Sequence, residues 1–227
     1  MNRKIITTGD GSKTIHIEEW NEQYHSKHGA IQEANHVFIK HGLHYLCLSD
    51  ESKEPLTNIS ILEIGFGTGL NTFISLLEAK KLNLQLHYVG VEAYPISVNE
   101  INELNYAEAL KVNDTLFSKI QEVSWEQQHE ITNYFSLTKQ QKLFKDISDI
   151  NAYNLIYFDA FGARVQPELW TESIFKIMFD ALKPNGVLVT YSAKGSVRRA
   201  MQAVGFIVER LEGPPGKREM LRAIKNS

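Results

Sequence analysis

The chain reads as a doubly wound α/β domain, Rossmann-like with a mostly parallel sheet, and three observations predict it. From Ile59 onward, short apolar runs alternate with longer amphipathic stretches, the pattern of buried strands joined by crossover helices. One apolar run, Ile61-Leu62-Glu63-Ile64, passes straight into Gly65-Phe66-Gly67-Thr68-Gly69 and then a helical pattern. That order is strand, tight turn and helix N-terminus. The last two apolar runs are joined through Gly213-Pro214-Pro215-Gly216, too short for a helical crossover, so they pair antiparallel.

Each element follows from local pattern. Lys4 to Thr8 and Thr14 to Glu18 flank Gly9-Asp10-Gly11-Ser12 and read as a hairpin. A helix is expected over Ala30 to His41. Strands are expected at Ile59 to Ile64, Gln85 to Glu92, Tyr153 to Asp159, Val187 to Tyr191, Phe206 to Leu211 and Glu219 to Ile224. Helices fall between them at Leu70 to Lys81, Ser97 to Glu103, Glu168 to Leu182 and Ser196 to Val204. Between Tyr106 and Lys145 the pattern gives a helix over Ala107 to Gln121 and a strand within Ile131 to Phe144. Lys183-Pro184-Asn185-Gly186 is a turn leading into a strand. Seven strands, parallel except for a terminal antiparallel hairpin, are the arrangement of class I methyltransferases; a plain dinucleotide dehydrogenase domain does not end that way. Residues 1–58 are read as a hairpin and helical extension, and 59–227 as the methyltransferase domain.

Composition bounds the class. At 227 residues, 43% apolar and 22% charged, the chain fits one globular α/β domain. No run reaches the length of a spanning helix and Met1-Asn2-Arg3-Lys4 opens no signal peptide, so a cytoplasmic protein without membrane contact is expected. The single cysteine, Cys47, forms no internal disulfide and reads as a small buried hydrophobe. Net charge is −3, yet Lys183 to Ser227 holds nine Lys/Arg against three Asp/Glu, a local +6 on a remainder of −9. That asymmetry is either a phosphate-binding face or ordinary solvated charge.

The glycine turn sets the cofactor. Glycines at alternate positions let backbone approach a ligand, and the following helix presents free N–H groups. A dinucleotide fingerprint is G-x-G-x-x-G. Here the third glycine comes one residue early and Leu70 fills its slot. With the acid Glu63 in the preceding strand, this form fits S-adenosylmethionine better than NAD. Gly65, Gly67, Gly69, Glu63 and Asn71 are the expected cofactor-binding residues around the turn. Glu92, 23 residues past Gly69 at a strand end, is placed to accept both ribose hydroxyls, and Asp146 is a candidate for the adenine amine.

Leu155-Ile156-Tyr157-Phe158-Asp159 delivers a carboxylate to the cleft mouth. Asp159 is the candidate catalytic residue, because an amine nucleophile must be neutral and a carboxylate can orient it or take its proton. The competing reading is a helix N-cap, although no helical pattern begins before Glu168. Phe161, Trp170 and Tyr191 are candidates to stack on an unpaired base. Lys194, Arg198, Arg199, Lys217, Arg218 and Arg222 are candidates to line one side of the cleft, or are solvated charge. His25, His28, His36, His41 and His44 crowd one segment without cysteine or a spaced carboxylate, so no metal site is expected.

Taken together, the residues resemble the methyltransferase part of the MnmC family of tRNA wobble-uridine modification enzymes, over nearly the whole chain. The blocks are Tyr24-His25-Ser26 with Gly29-Ala30, Glu33 and His36-Val37-Phe38-Ile39; Glu63 to Asn71; Asp159-Ala160-Phe161 with Pro167-Glu168-Leu169-Trp170-Thr171; and Val197-Arg198-Arg199, Gly213 and Lys217-Arg218-Glu219-Met220-Leu221. The resemblance implies methylation of the exocyclic amine of 5-aminomethyl-2-thiouridine at position 34 of tRNA, with Asp159 as the catalytic aspartate. In bifunctional members a flavin-dependent domain follows and removes a carboxymethyl group. This chain ends at its last strand, so the resemblance implies methyl transfer alone, with a separate flavin-dependent enzyme supplying the substrate. Gly162-Ala163-Arg164-Val165-Gln166 departs from the proline and lysine many members carry, which leaves the shape of that loop open. Rival readings are a small-molecule amine N-methyl- or aminopropyltransferase of the same fold, a non-catalytic nucleotide- or RNA-binding module, and an NAD oxidoreductase.

Overall fold

In a computed structural model, which describes residues 2–48 and 56–226, the chain builds two sheets. The smaller is antiparallel: β1 (Arg3–Thr7), β2 (Lys13–Ile17) and β3 (Glu22–Gln23). The first two form the expected hairpin, with Arg3 opposite Ile17 and Thr7 opposite Lys13. The third, two residues long, has no pattern of its own to announce it.

The larger sheet comprises β4 (Asn58–Ile64), β5 (Gln85–Glu92), β6 (Gln128–Thr132), β7 (Phe135–Gln141), β8 (Tyr153–Phe158), β9 (Leu182–Thr190), β10 (Ile207–Glu212) and β11 (Glu219–Ile224). Its order is β10-β11-β9-β8-β4-β5-β7-β6. Strands β7, β5, β4, β8 and β9 run parallel, while β11 lies antiparallel to both β9 and β10. The terminal hairpin is therefore as expected. An eighth strand, β6, joins the seven at the edge, antiparallel to β7. Its sequence, Gln-His-Glu-Ile-Thr, buries only Ile131, and a short polar edge strand gives little alternation to read. The turn at Lys183 to Gly186 lies within β9, where the register against β8 shifts.

Helices cover both faces. On one side lie α1 (Ala30–Ala34), a π-helical segment (Asn35–His44) that runs on into α2 (Tyr45–Leu48), then α3 (Leu70–Leu82), α4 (Val98–Asn102), α5 (Tyr106–Ala109) and α6 (Thr115–Glu122). The first helical stretch thus outruns its expected end. The expected helix over 107–121 is broken in two, because Lys111 adopts φ +56° and closes α5 with a left-handed cap. A lysine there gives no warning of the break. On the other side lie a short 3-10 turn (Pro167–Trp170), α7 (Glu172–Ala181) and α8 (Gly195–Ala203).

Period-two alternation divides the core between the faces. In β4, Ile59 and Ile61 pack with Tyr88, Tyr157, Phe38 and Phe73, whereas Leu62 and Ile64 pack with Phe158, Phe175, Met178 and Val197. From β4 the chain proceeds to β5 and β7 on one side, and to β8 and β9 on the other. The carboxyl ends of β4 and β8 flank the switch point where doubly wound sheets bind ligands.

Candidate active site

Beyond β4 the glycine turn is held from both sides. The Gly65 and Phe66 N–H groups both donate to the Val91 carbonyl at 3.0 Å. Gly65 (φ +88°) and Gly67 (φ +48°) take left-handed backbone that side chains resist. A Cβ on Gly65 would stand 2.7 Å from the Asp159 carbonyl oxygen, and one on Gly67 3.1 Å from the Tyr24 ring. Glu92, at the end of β5, accepts from Gly67 N–H and Tyr94 N–H, each at 3.0 Å, and so ties the turn to the next loop.

Above this turn opens a cavity of about 1420 Å³. Gly65, Gly67, Asn71, Glu92, Asp159, Phe161, Tyr191, Lys194 and Lys217, all candidate site residues, line it. The small N-terminal sheet and the segment after it form the facing wall, through Arg3, Trp20, Glu22, Tyr24 and His25. Phe161 meets the rings of Trp20 and Tyr24 edge-on, at 5.3 and 4.9 Å between centroids. Arg164 holds the wall in place, donating to Glu22 and to the Trp20 carbonyl at 2.6 Å. The Gly162 to Gln166 loop, whose shape the sequence left open, is thereby a clasp.

Asp159 stands one residue beyond β8, and its N–H donates to the Ile64 carbonyl across the parallel pair at 2.9 Å. Its Oδ2 accepts from Asn71 Nδ2 at 2.8 Å, and the same amide donates to Glu63 Oε1 at 2.9 Å. Burial, with the nearby Glu33 charge, pushes the Asp159 carboxyl up to about 7; the Asn71 hydrogen bond and Lys217 oppose that rise. Glu33, from α1, is itself buried, accepts from Ser26 N–H at 2.9 Å, and pairs with Lys217. The Lys217 ammonium lies 3.8 Å from the centre of the Tyr191 ring, a close cation–π contact. The Tyr191 hydroxyl donates to the Ala160 carbonyl at 2.8 Å.

Other expected site residues lie elsewhere. Glu63 is wholly buried beneath the turn and does not line the cavity, bonded by Asn71, Thr72 and Tyr88; desolvation raises its carboxyl to about 8. Gly69 faces Gln121 and the Phe66 ring instead. Asp146 is exposed, while its neighbours Leu143, Phe144 and Lys145 reach the cavity. Trp170 is buried among Phe158, Phe175 and Tyr191, its indole N–H donating to the Phe161 carbonyl at 2.8 Å. It is core that shapes the Phe161 loop. Arg198, Arg199 and Arg218 lie off the cavity wall, the last two exposed. Arg222 is buried against Tyr45 and paired with Glu209 at 2.7 Å. Of the histidines, His25 alone is buried in the cavity wall, and burial lowers it to about 4. The chemical reading of the sequence did not single out Arg3, Tyr24 or Glu33; Tyr24 and Glu33 stood only within the family blocks.

The arrangement fits S-adenosylmethionine. The turn has bare backbone where it closes on Asp159 and Tyr24, and an acid stands at the end of the neighbouring strand, as a ribose requires. The volume admits a nucleoside and an acceptor together.

Comparison with known proteins agrees. Residues 105–226 match the model of a family described as S-adenosyl-L-methionine-dependent methyltransferase. The chain is 27% identical over 210 residues to the tRNA 5-methylaminomethyl-2-thiouridine biosynthesis bifunctional protein MnmC of Hydrogenovibrio crunogenus, covering 88% of this chain and 31% of that protein. It is 29% identical over 217 residues to the MnmC protein of Leptospira borgpetersenii serovar Hardjo-bovis, covering 90% and 32%. The chain thus spans about a third of the length of these relatives. The crystal structure of MNMC2 from Aquifex aeolicus superposes with a TM-score of 0.75 at 25% identity, over 98% of this chain and 70% of that one. Spermidine synthase from Thermotoga maritima, at 15% identity and a TM-score of 0.56 over 100% and 73%, shares the fold. With the family match, the sheet order and the glycine turn in agreement, this chain belongs to the S-adenosyl-L-methionine-dependent methyltransferases and is MnmC-like among them.

Proposed function

We propose that the chain transfers a methyl group from S-adenosylmethionine to the exocyclic primary amine of 5-aminomethyl-2-thiouridine at position 34 of tRNA, giving the 5-methylaminomethyl form. The observation that carries this reading is the Asp159 carboxylate, pinned by Asn71 in the cavity beside the glycine turn. The cofactor supplies an activated methyl group on a sulfonium and needs no metal to release it. The protein must bring a neutral amine in line with it.

Asp159 suits that task. An ordinary aspartate near 3.8 stands about 6.6 pH units below a primary amine near 10.4, so taking its proton costs roughly 9 kcal/mol. Raised to about 7, Asp159 narrows the gap to about 3.4 units, roughly 5 kcal/mol. Desolvation of the bound ammonium lowers it further. Phe161 and Tyr24 offer ring surface to an unpaired base. Gly65, Gly67 and Glu92 cradle the nucleoside of the cofactor, with residues 59–227 forming the methyltransferase unit and the N-terminal segment closing over it. Lys194, Arg199 and Arg218, exposed on the C-terminal side, meet tRNA phosphates. Among the described residues no helix is long and apolar enough to cross a membrane, which accords with work on tRNA in the cytoplasm. A flavin-dependent activity supplies the aminomethyl group.

The test incubates the protein with labelled S-adenosylmethionine and tRNA bearing the aminomethyl group, then identifies nucleosides by mass spectrometry. One added methyl at the wobble uridine is expected. Label incorporated at another nucleoside, or none, would refute the assignment.

A further inference from the structure

We propose that Glu63 and Asn71 are a buried positioning pair for Asp159, in which Glu63 locks the Asn71 amide and the amide holds one carboxylate oxygen so that the other meets the acceptor amine. This rests on the reading of Asp159 above, and it takes both residues away from cofactor binding.

The geometry is explicit. A side-chain amide has two N–H donors, and Asn71 directs its nitrogen at two carboxylates, Glu63 Oε1 at 2.9 Å and Asp159 Oδ2 at 2.8 Å. Once Asp159 is ionised, a flipped amide would set its oxygen against that carboxylate, acceptor against acceptor, and would withdraw its N–H from Glu63 Oε1. The orientation that serves an ionised Asp159 is the one that also donates to Glu63, and among the described residues Asn71 Oδ1 is left buried with no partner. Leaving such an acceptor unmade is unfavourable, so the double donation holds the amide against that cost. Asp159 in turn accepts no other side-chain hydrogen bond among the described residues.

Glu63 has no other evident purpose. Among the described residues no cation pairs with it, and it does not line the cavity; Thr72 and Tyr88 hydroxyls occupy Oε2, leaving Oε1 to Asn71. The topology makes the chain of contacts short. Glu63 is the penultimate residue of β4, Asn71 lies in the first turn of α3, and Asp159 follows the adjacent strand β8. Other charged or titratable groups facing Asp159 are Glu33 from α1, Lys217 from the terminal hairpin and Tyr191 after β9. None of these touches the Glu63 end.

Three variants test it: Asn71→Ala, Glu63→Leu and Glu63→Gln. Leucine removes the anchor, and replacing a buried acid by an apolar side chain often leaves stability intact. Glutamine keeps an acceptor for Asn71. Expected for Asn71→Ala and Glu63→Leu is kcat lower by about ten- to a hundredfold with KM for S-adenosylmethionine within about twofold. Glu63→Gln should restore most of kcat. Carbon-13 NMR of labelled aspartate, with Asp159 assigned through Asp159→Asn, reads the effect without any acceptor. The Asp159 carboxyl should titrate at higher pH in Asn71→Ala and Glu63→Leu than in the wild type. Unchanged Asp159 titration with KM for the cofactor raised about tenfold would overturn the proposal and return Asn71 to the cofactor. Because the NMR readout uses no tRNA, failure of the acceptor assignment is seen separately, in the nucleoside assay. If Asn71→Ala does not fold, the leucine and glutamine pair decides.

Discussion

In the reaction we propose, Asp159 carries two opposite demands on one side chain. Catalysis wants it ionised, while burial and Glu33 hold its proton up to about 7. Activity should therefore fall on the acid side as pH drops through about 7, and Asp159→Asn should lose about a hundredfold or more in kcat with cofactor binding intact. Steady-state rates and calorimetry with S-adenosylmethionine check both. Stability moves the other way. Between 3.8 and about 7 the folded state keeps a proton that the unfolded chain releases, so stability contributed by Asp159 falls as pH rises through that window. Asp159→Asn should flatten this decline in thermal unfolding measured across the same range. The sequence drew attention to Asp159 because an apolar strand ended in a lone acid. It did not separate Glu63 from the ligand shell, since a glycine turn preceded by an acid looks the same whether that acid faces cofactor or core.

Among elements, the glycine turn is the most exacting. Replacing Gly67 with alanine forces a left-handed φ on a residue with a Cβ, at about 1–2 kcal/mol, and sets that Cβ against Tyr24. Cofactor affinity should weaken about tenfold while thermal stability falls only slightly, as measured by titration calorimetry and unfolding. Strands β5 and β11 and helix α3 were legible nearly to the residue, because the strands state their own period and α3 starts directly at the glycine turn. What stayed hidden had no period to state. Strand β3 is two residues long, β6 is polar, and the break between α5 and α6 occurs at a lysine. The wall made by β1 to β3 could be foreseen as a hairpin, but not as part of the site, since no local pattern says what a hairpin packs against.

At the scale of the molecule, an acidic chain presents a basic C-terminal region. If Arg199 and Arg218 meet phosphates, tRNA affinity should fall steeply with salt, and the double variant R199Q/R218Q should reduce the slope of log K against log salt by about 2. Filter binding over a salt series measures it. An unchanged slope would assign those residues to plain solubility. The count of basic residues in the sequence pointed to this region as a whole, but not residue by residue. Arg222 was absorbed into the core and Lys217 turned inward, and only the packing of the final hairpin decides which way each cation faces.

The pairing of Glu33 with Lys217 joins positions 184 apart in the chain. One wall of the cavity is therefore synthesised well before the hairpin that closes it. During translation the early sheet and glycine turn wait, incomplete, until β10 and β11 have left the ribosome. Methyl-transfer competence should then arrive in a single late step, so a nascent chain halted before Lys217 has no working site with which to consume cofactor.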